Sequence, residues 1–255
     1  MTQMLDFDRY SRQVPFPGLG EAGQRRLAEA RVLLVGCGGL GSVQATLLVR
    51  AGLGWLRIVD CDAVEVQNLH RQILYDEQDA GRPKAEVAAA KLRQANSGVE
   101  VESVVARFAA ANAEELARGA DLILDGTDNA ATRFVINDVA VKHGLPWIYG
   151  ACVGAEGRML PIIPHRTACL RCIWDEPPAH PTCATVGVLG PMVAMVASFQ
   201  ALAAMQVLIG RVDDLDTRML VIDGWSWRMR QVDVKAALER GDCRCCKQGA
   251  YEYLT

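Results

Sequence analysis

The stretch Val32–Gly41, "VLLVGCGGLG", decides the fold of this chain. Four apolar residues lead directly into a turn in which Gly36, Gly38 and Gly41 have the spacing G-x-G-x-x-G, and the apolar spacing of a helix follows. A strand, a glycine turn and a helix in this order bind phosphate, because bare backbone N–H groups and the positive end of the helix dipole meet there. The stretch therefore predicts a nucleotide site at the carboxyl end of a buried strand.

Strand-like and helical patterns alternate through the first 150 residues, which predicts a parallel sheet with helices on both faces. The expected strands are Arg31–Val35, Trp55–Val59, Val99–Val104, Asp121–Leu124 and Pro146–Tyr149. The expected helices are Gly41–Ala51, Pro83–Gln94, Glu114–Ala117 and Ala131–His143. After Gly150 the pattern becomes an antiparallel meander, a proline-rich loop, an apolar helix and two strands joined by a turn. We expect one α/β domain: a Rossmann-like fold whose mainly parallel sheet is extended by antiparallel strands.

The composition of the chain indicates which partners and which cell compartment to expect. The formal net charge is −3 and the basic runs are no longer than pairs, so the chain lacks the basic surface of a nucleic-acid binder. Acidic residues near the start replace the positive patch of a signal peptide, which predicts a cytoplasmic protein. The uncharged segment Val186–Gly210 is long enough to span a membrane, but Pro191 and three polar side chains favour a buried helix, in the core or at a subunit interface. We expect no membrane partner.

The residues after the second strand bear on which nucleotide is bound. Asp60 ends that strand, 24 residues beyond Gly36, where a carboxylate can accept hydrogen bonds from ribose hydroxyls. The glycine turn and Asp60 by themselves favour an NAD(P)-dependent oxidoreductase. That class has no evident need for the polar and charged residues that follow: Asp62, Asn68, Arg71 and Gln72.

Two further charged residues have alternative interpretations. Lys84 lies in the first turn of a helix, where the dipole disfavours a cation by a few tenths of a kcal/mol up to ~1 kcal/mol. It is either a solvated surface lysine or a residue that meets a phosphate. Asp128 follows the strand that ends near Asp125, and it could cap the next helix or hold Mg²⁺ on a triphosphate. The sequence leaves both alternatives open.

The cysteines include two C-x-x-C pairs, Cys169 with Cys172 and Cys243 with Cys246. Two such pairs form tetrahedral structural Zn²⁺ sites, although the 70 residues between these pairs exceed the usual zinc-ribbon spacing. Unligated thiols or a redox pair are the alternatives, and Cys245 could compete for the metal. Cys183 stands alone in the proline-rich loop, where an exposed thiol can act as a nucleophile.

Taken in order, these features resemble the MoeB/ThiF/HesA adenylyltransferases, the bacterial relatives of ubiquitin-activating enzymes. The motifs run along nearly the whole chain. The resemblance is carried by "RYSRQ" at Arg9–Gln13, "GCGGLGS" at Gly36–Ser42, "DCDAVEVQNLHRQ" at Asp60–Gln72, "GRPKAE" at Gly81–Glu86, "DGTDN" at Asp125–Asn129, "GACVGAEGR" at Gly150–Arg158, both C-x-x-C pairs and "TCATVGVLGP" at Thr182–Pro191.

The resemblance implies adenylation, by ATP, of the C-terminal glycine of a small ubiquitin-like sulfur-carrier protein that ends in Gly-Gly, for molybdopterin, thiamine or a related thio-product. The residues implied to hold the nucleotide are Gly36, Gly38, Gly39, Gly41, Asp60, Asp62, Asn68, Arg71, Gln72, Lys84 and Asp128. Asp128 would bind Mg²⁺, and Arg12 would reach the phosphates of the neighbouring subunit in a homodimer. Cys183 is a candidate nucleophile for a second step. Arg71, Lys84, Arg12 and Mg²⁺ would stabilise the charge that develops on the phosphates, and an ionised carboxylate needs no general base.

The resemblance also divides the chain into an N-terminal helical arm (1–30), a nucleotide-binding half (31–150) and a half for the carrier protein and zinc (151–255). Lys247 replaces the glycine usual after the second C-x-x-C, a small departure from the family pattern. We expect any sulfur donor, a rhodanese or a cysteine desulfurase, to be a separate protein. A non-catalytic nucleotide-binding scaffold is the third hypothesis, and the retained Arg71, Lys84 and Asp128 speak against it.

Overall fold

The computed structural model describes residues 7–177 and 186–255, and Cys183 therefore lies outside the described residues. One eight-stranded sheet has the order β3-β2-β1-β4-β5-β6-β7-β8. Its strands are β1 (Arg31–Val35), β2 (Trp55–Val59), β3 (Glu100–Val104), β4 (Leu122–Asp125), β5 (Trp147–Val153), β6 (Glu156–Ile162), β7 (Met219–Asp223) and β8 (Arg228–Val232). The first five strands run parallel and the last three join as antiparallel neighbours, so the predicted mixed α/β fold is confirmed.

Helices cover both faces of this sheet. They are α1 (Gly20–Glu29), α2 (Gly39–Ala51), α3 (Lys84–Ala95), α4 (Ala110–Ala117), α5 (Ala130–His143), α6 (Leu170–Ile173), α7 (Gly190–Leu208) and α8 (Lys235–Glu239). Successive strand side chains point to opposite faces, so Leu34 and Leu122 belong to the core under α2, α3 and α7, and Leu33 and Ile123 to the core under α4 and α5. The apolar runs read from the sequence are therefore strands buried on both faces.

Most element boundaries agree with the expected ones within two residues, and two do not. β5 was expected to end at Tyr149 but runs to Val153, because its antiparallel partner β6 pairs with it as far as Glu156. α4 begins at Ala110 rather than Glu114, because the Asn112 side chain accepts the N–H of Ala109 at 2.9 Å and starts the helix earlier. The arm before β1 is helical only in α1, and residues 7–19 form turns.

The apolar helix α7 packs into the core. It contacts α2 and strands β5 and β6, and Val196, Ala197 and Gln200 on it are completely buried. The Gln200 amide donates to the carbonyl oxygens of Asp125 at 2.9 Å and Ile148 at 3.1 Å, so its polar group is satisfied inside the protein. Among the described residues α7 is the one helix long and apolar enough to cross a membrane, but its packing is that of a core helix.

The turns after β1 and β4 pack backbone against backbone. A Cβ atom at Gly41 would lie 2.0 Å from the carbonyl oxygen of Gly36, and one at Gly126 would lie 2.1 Å from the same oxygen. Gly36 itself has a φ of +84°, in the region that glycine adopts without strain. Glycine is thus required at these three positions by contact between the two turns, before any ligand is considered.

We expect Gly41→Ala to destabilise the protein by about 3 kcal/mol, the upper part of the range for overpacking, because the new methyl group would overlap the Gly36 carbonyl. Urea unfolding followed by circular dichroism measures the free energy of unfolding. Gly98→Ala is the control, since its nearest neighbour is the Asn96 side chain at 3.3 Å on an exposed turn, and we expect a change within about 0.5 kcal/mol. Equal stability of the two variants would contradict the packing argument.

Candidate functional site

Asp60 fixes the glycine turn to the loop after β2. One carboxylate oxygen accepts the N–H of Cys37 at 2.6 Å, and the other accepts the N–H of Asp62 at 2.8 Å. Burial raises the pKa of Asp60, and these backbone N–H groups act in the opposite direction. The carboxylate therefore lies at the edge of the glycine turn with both oxygens already oriented, and each oxygen keeps a lone pair for a further donor.

Lys84 is a buried residue at the start of α3, so the surface-lysine alternative is wrong. Only 6% of its side chain is exposed, and its Nζ donates to the Asp62 carboxylate at 3.0 Å. Partial burial acts to raise the pKa of Asp62, but the hydrogen bond and charge of Lys84 outweigh it, so that pKa is lowered. The Tyr75 hydroxyl lies 2.8 Å from the carbonyl oxygen of Cys37 and 3.3 Å from that of Lys84, which places the start of α3 beside the glycine turn.

Arg71 and Gln72 lie against the other side of the glycine turn. A Cβ atom at Gly39 would be 3.5 Å from Cγ of Arg71, and one at Gly38 would be 3.4 Å from Nε2 of Gln72. Arg71 donates to Oδ1 of Asn68 at 2.7 Å, which orients the guanidinium group. Oε1 of Gln72 is buried and has no hydrogen-bond partner among the described residues, so it can accept one from a ligand.

The N-terminus of α7 supports the loop that carries Arg71. A Cβ atom at Gly190 would lie 2.5 Å from the carbonyl oxygen of His70, so the helix and the loop touch through their backbones. The apolar helix of the second half of the chain thus fixes a charged loop of the first half. The sequence pattern of neither segment predicts this contact.

Asp128 is exposed and lies in the turn between β4 and α5. The N-cap of α5 is Asn129, whose Oδ1 accepts the N–H of Thr132 at 2.8 Å, so the capping role is not that of Asp128. Within residues 7–177 and 186–255 no hydrogen bond or ion pair engages the Asp128 carboxylate. A Cβ atom at Gly126, two residues earlier, would be 3.0 Å from Cα of Gly41, so this turn adjoins the glycine turn.

Two residues near Asp128 that the sequence pattern does not single out form an ion pair. Asp125 is completely buried and pairs with Arg133 on α5, at 2.9 Å between Oδ2 and Nε. The signal for Arg133 is weak, since an arginine on the first turn of a helix is common and its acidic partner is eight residues away. Only the fold brings the two side chains together.

Arg12 lies far from the glycine turn of its own chain. It is exposed, and the adjacent Gln13 donates to the carbonyl oxygen of Ala51, the last residue of α2, at 2.9 Å. Because α2 has 13 residues and begins at the glycine turn, its two ends are roughly 20 Å apart. An arginine side chain does not span that distance.

The two C-x-x-C pairs meet in the fold. The sulfur atoms of Cys169, Cys172, Cys243 and Cys246 all lie within 4.8 Å of one another. The shortest separations are 3.4 Å, 3.6 Å and 3.8 Å, and four sulfurs around one Zn²⁺ at about 2.3 Å are roughly 3.8 Å apart. Hydrogen bonds from neighbouring thiols, first that of Cys172, lower the pKa of Cys169, and the same contacts raise the pKa values of Cys172 and Cys246, so one thiolate opposes the ionisation of the next.

Cys245 lies beside this cluster, within hydrogen-bond reach of Cys169, but is not one of its four sulfurs. It is completely buried, and its sulfur accepts the side-chain amide of Asn137 at 3.4 Å. The four sulfurs that could hold a metal ion do not include it. The four clustered thiols, and not five, form the candidate metal centre.

The fold and this arrangement define an α/β protein whose glycine turn is surrounded by charged side chains. The model of the ThiF family matches residues 10–245, and the chain belongs to that family. The ThiS sulfur-carrier protein adenylyltransferase of Bacillus subtilis is 41% identical over 251 residues, which are 97% of this chain and 74% of the relative. The SAMP-activating enzyme E1 of Haloferax volcanii is 39% identical over 260 residues, covering 100% of this chain and 95% of the relative.

A solved structure shares the fold at low sequence identity. E. coli MccB superposes with a TM-score of 0.79 at 20% identity, over 91% of this chain and 70% of MccB. The architecture of a mixed sheet with helices on both faces is therefore that of MccB.

Proposed function

We propose that this protein uses ATP to adenylate the C-terminal glycine of a small ubiquitin-like sulfur-carrier protein that ends in Gly-Gly, and releases pyrophosphate. Family membership and the names of the two relatives support the reaction class. The observation that carries the proposal is the burial of Lys84 beside Asp60, Asp62 and the glycine turn. A cation kept in the first turn of a helix and out of solvent is suited to a bound phosphate chain.

The reaction needs charge stabilisation more than proton transfer. A carboxylate oxygen of the carrier bonds to the α-phosphorus as the bond from that phosphorus to the oxygen bridging to the β-phosphate breaks. Arg71 and Lys84 would neutralise charge on the α-phosphate and the departing pyrophosphate. Asp60 would accept the ribose hydroxyls, and Gln72 offers a buried acceptor beside the turn. The attacking carboxylate is already ionised at neutral pH, so no general base is required.

Asp128 would hold Mg²⁺ on the triphosphate. Its carboxylate is exposed and unengaged by the described residues, and oxygen ligands of this kind are those that Mg²⁺ prefers. When bound, Mg²⁺ supplies positive charge to the phosphates. The residue's own part is to present one charged oxygen at the edge of the glycine turn.

The competing functions explain less. An NAD(P)-dependent oxidoreductase would use the glycine turn and Asp60 but would leave Lys84 and Arg71 without a role, and family membership disfavours it. A non-catalytic scaffold would not need a buried lysine and an unengaged aspartate at the same turn.

We also propose that the protein acts as a homodimer in the cytoplasm. Arg12 supports this, because it lies at the opposite end of α2 from its own glycine turn and could serve only the site of a second subunit. Residues 1–30 would form the arm that reaches across, residues 31–150 the nucleotide half and residues 151–255 the carrier-binding half. Sulfur for a later step would come from a separate rhodanese or cysteine desulfurase. Molybdopterin, thiamine and related thio-products are the pathways this chemistry fits.

The four-cysteine cluster would bind a structural Zn²⁺. Four buried or half-buried thiols at tetrahedral spacing, with no position left open, are typical of structural rather than catalytic zinc. The ion would hold α6 to the segment around Cys243 and Cys246, in addition to the hydrogen bonds from Arg171 to Ala250 and from Arg240 to Cys172.

We expect Asp128→Ala to abolish pyrophosphate–ATP exchange, a loss of roughly 100-fold or more, because the metal that neutralises the phosphates loses its protein ligand. The assay contains a candidate small protein ending in Gly-Gly. Asp214→Ala is the control, since Asp214 is exposed in the turn beyond the far end of α7. Near-normal exchange in the Asp128 variant would remove Asp128 from the chemistry, and no exchange by the wild type with any candidate carrier would overturn the proposed function.

Cys183→Ala should keep pyrophosphate–ATP exchange within about twofold of the wild type, because exchange reports only the adenylation step. If Cys183 acts in a second step, its variant should also convert less of the activated carrier to the sulfur-bearing form. Mass spectrometry of the carrier measures this conversion. The exposed Ser198 on α7 provides the control variant, Ser198→Ala. Complete loss of exchange in the Cys183 variant alone would contradict this order of steps.

Protein purified without chelators should contain about one zinc ion per chain by plasma mass spectrometry. Cys172→Ser should lose that ion and melt at a lower temperature, because the ion binds the folded state only. Cys245→Ser should keep the ion, since its sulfur bonds to Asn137 instead. Markedly less than one zinc ion in the wild type would overturn the four-thiolate site.

A further inference from the structure

A buried ion pair lies directly beneath the turn that carries Asp128. Asp125, the last residue of β4, is completely buried, and 12% of the Arg133 side chain is exposed. Nε of Arg133 donates to Oδ2 of Asp125 at 2.9 Å. A buried charge is costly unless it is paired and hydrogen-bonded. The hydrogen bonds of both side chains therefore show which parts of the backbone the ion pair fixes.

The ion pair clamps Thr127 from both sides. Oδ1 of Asp125 accepts the backbone N–H of Thr127 at 2.9 Å and its hydroxyl at 2.7 Å. Nη2 of Arg133 donates to the Thr127 carbonyl oxygen at 2.6 Å and to that of Gly150 on β5 at 3.0 Å. The backbone of the turn is therefore fixed to its own strand, to the neighbouring strand and to α5.

Asp128 follows immediately after the clamped peptide. On its other side Asn129 is held as the N-cap of α5 through the N–H of Thr132. The backbone of Asp128 is thus fixed between two anchors, while its side chain extends into solvent without a partner among the described residues. The arrangement fixes the backbone position of Asp128 and leaves its carboxylate oxygens available to a ligand.

Charge explains why the clamp contains a cation. Arg133 faces two carboxylates, and its direct hydrogen bond is to Asp125, while Asp128 acts on it only through space. Asp125 therefore neutralises Arg133, and the negative charge of Asp128 remains for a cation from outside. Without Arg133, the buried charge of Asp125 would have no counter-ion, and the Thr127 carbonyl oxygen would lose its hydrogen bond from Nη2.

We propose that Arg133 is a positioning residue which, through Asp125 and Thr127, places the Asp128 carboxylate for the divalent cation of bound ATP. This inference rests on the proposed function, because it takes Asp128 as the ligand of that cation. Arg133 would act through the turn and would touch neither nucleotide nor metal.

The test measures ATP affinity by isothermal titration calorimetry, once with excess Mg²⁺ and once with EDTA. The ratio of the two dissociation constants gives the Mg²⁺ enhancement, independent of turnover. Arg133→Lys keeps the charge but loses the fork of donors, and we expect it to lower the enhancement about tenfold, as loss of an outer-shell contact does. Its dissociation constant in EDTA should remain within about threefold of the wild type, because Arg133 does not touch the nucleotide.

Arg57→Lys is the matched control. Arg57 also donates to a carboxylate, Glu102 at 3.0 Å, and to a carbonyl oxygen, that of Leu116 at 2.7 Å, but it lies on β2 away from Asp128. Its variant should keep the full enhancement. A folded Arg133→Lys protein with wild-type enhancement, or an equal loss in both arginine variants, would overturn the inference.

Two more variants separate the outcomes. If Arg133→Lys does not fold, Thr127→Val provides the test. It removes the hydroxyl that donates to Asp125 but keeps the ion pair, and an unchanged Mg²⁺ enhancement in this variant would overturn the inference.

Asp128→Ala should lose the enhancement entirely. Loss in Asp128→Ala together with wild-type behaviour of Arg133→Lys would refute the positioning role alone, whereas full enhancement in Asp128→Ala would refute the Mg²⁺ assignment of the proposed function and the inference with it.

Discussion

The contact of the Gly36 carbonyl oxygen with Gly41 and Gly126 is the constraint on which the site depends. No side chain fits at these positions, so the ends of β1 and β4 come together at backbone distance. Because parallel strands present their carboxyl ends at one edge, this contact brings the loop after β2 and the turn after β4 to the same glycine turn. Lys84 and Asp128, which are 44 residues apart in the chain, therefore lie on segments that adjoin the same glycine turn.

Three buried polar side chains below the site are hydrogen-bonded within the protein. Asp60 accepts backbone N–H groups, Gln200 donates to the end of β4, and Asp125 pairs with Arg133. Such groups contribute little net stability, but leaving one of them unpaired is costly, so they specify one arrangement of the turns above them. The Asp128 carboxylate, nearer the solvent, accepts no hydrogen bond from the residues that the structure describes.

The cysteine cluster and the C-terminal segment act on the same helix from the other face. Tyr253 packs its ring 5.0 Å from that of Phe134, and its N–H donates to Asp138 at 3.0 Å, both on α5. Arg171, in α6 between the first two clustered cysteines, also pairs with Asp138 at 3.3 Å. The helix that carries Arg133 is therefore held on one side by the sheet and on the other by the segment that the cluster organises.

The sequence by itself determined the local elements and the family. Strands, helices and the glycine turn follow from spacings of two to four residues, and those spacings are fixed by backbone geometry, so nearly all elements were predicted. The family resemblance rested on motifs in order, and the family model confirms it. Only the tertiary structure decided between locally equivalent alternatives: that Asn129 and not Asp128 caps α5, that Lys84 is buried, and that Cys245 is not one of the four clustered sulfurs. Each of these outcomes, like the pairing of Arg133 with Asp125, depends on which side chains and backbone groups the packed fold brings into contact. A local sequence pattern does not specify those contacts.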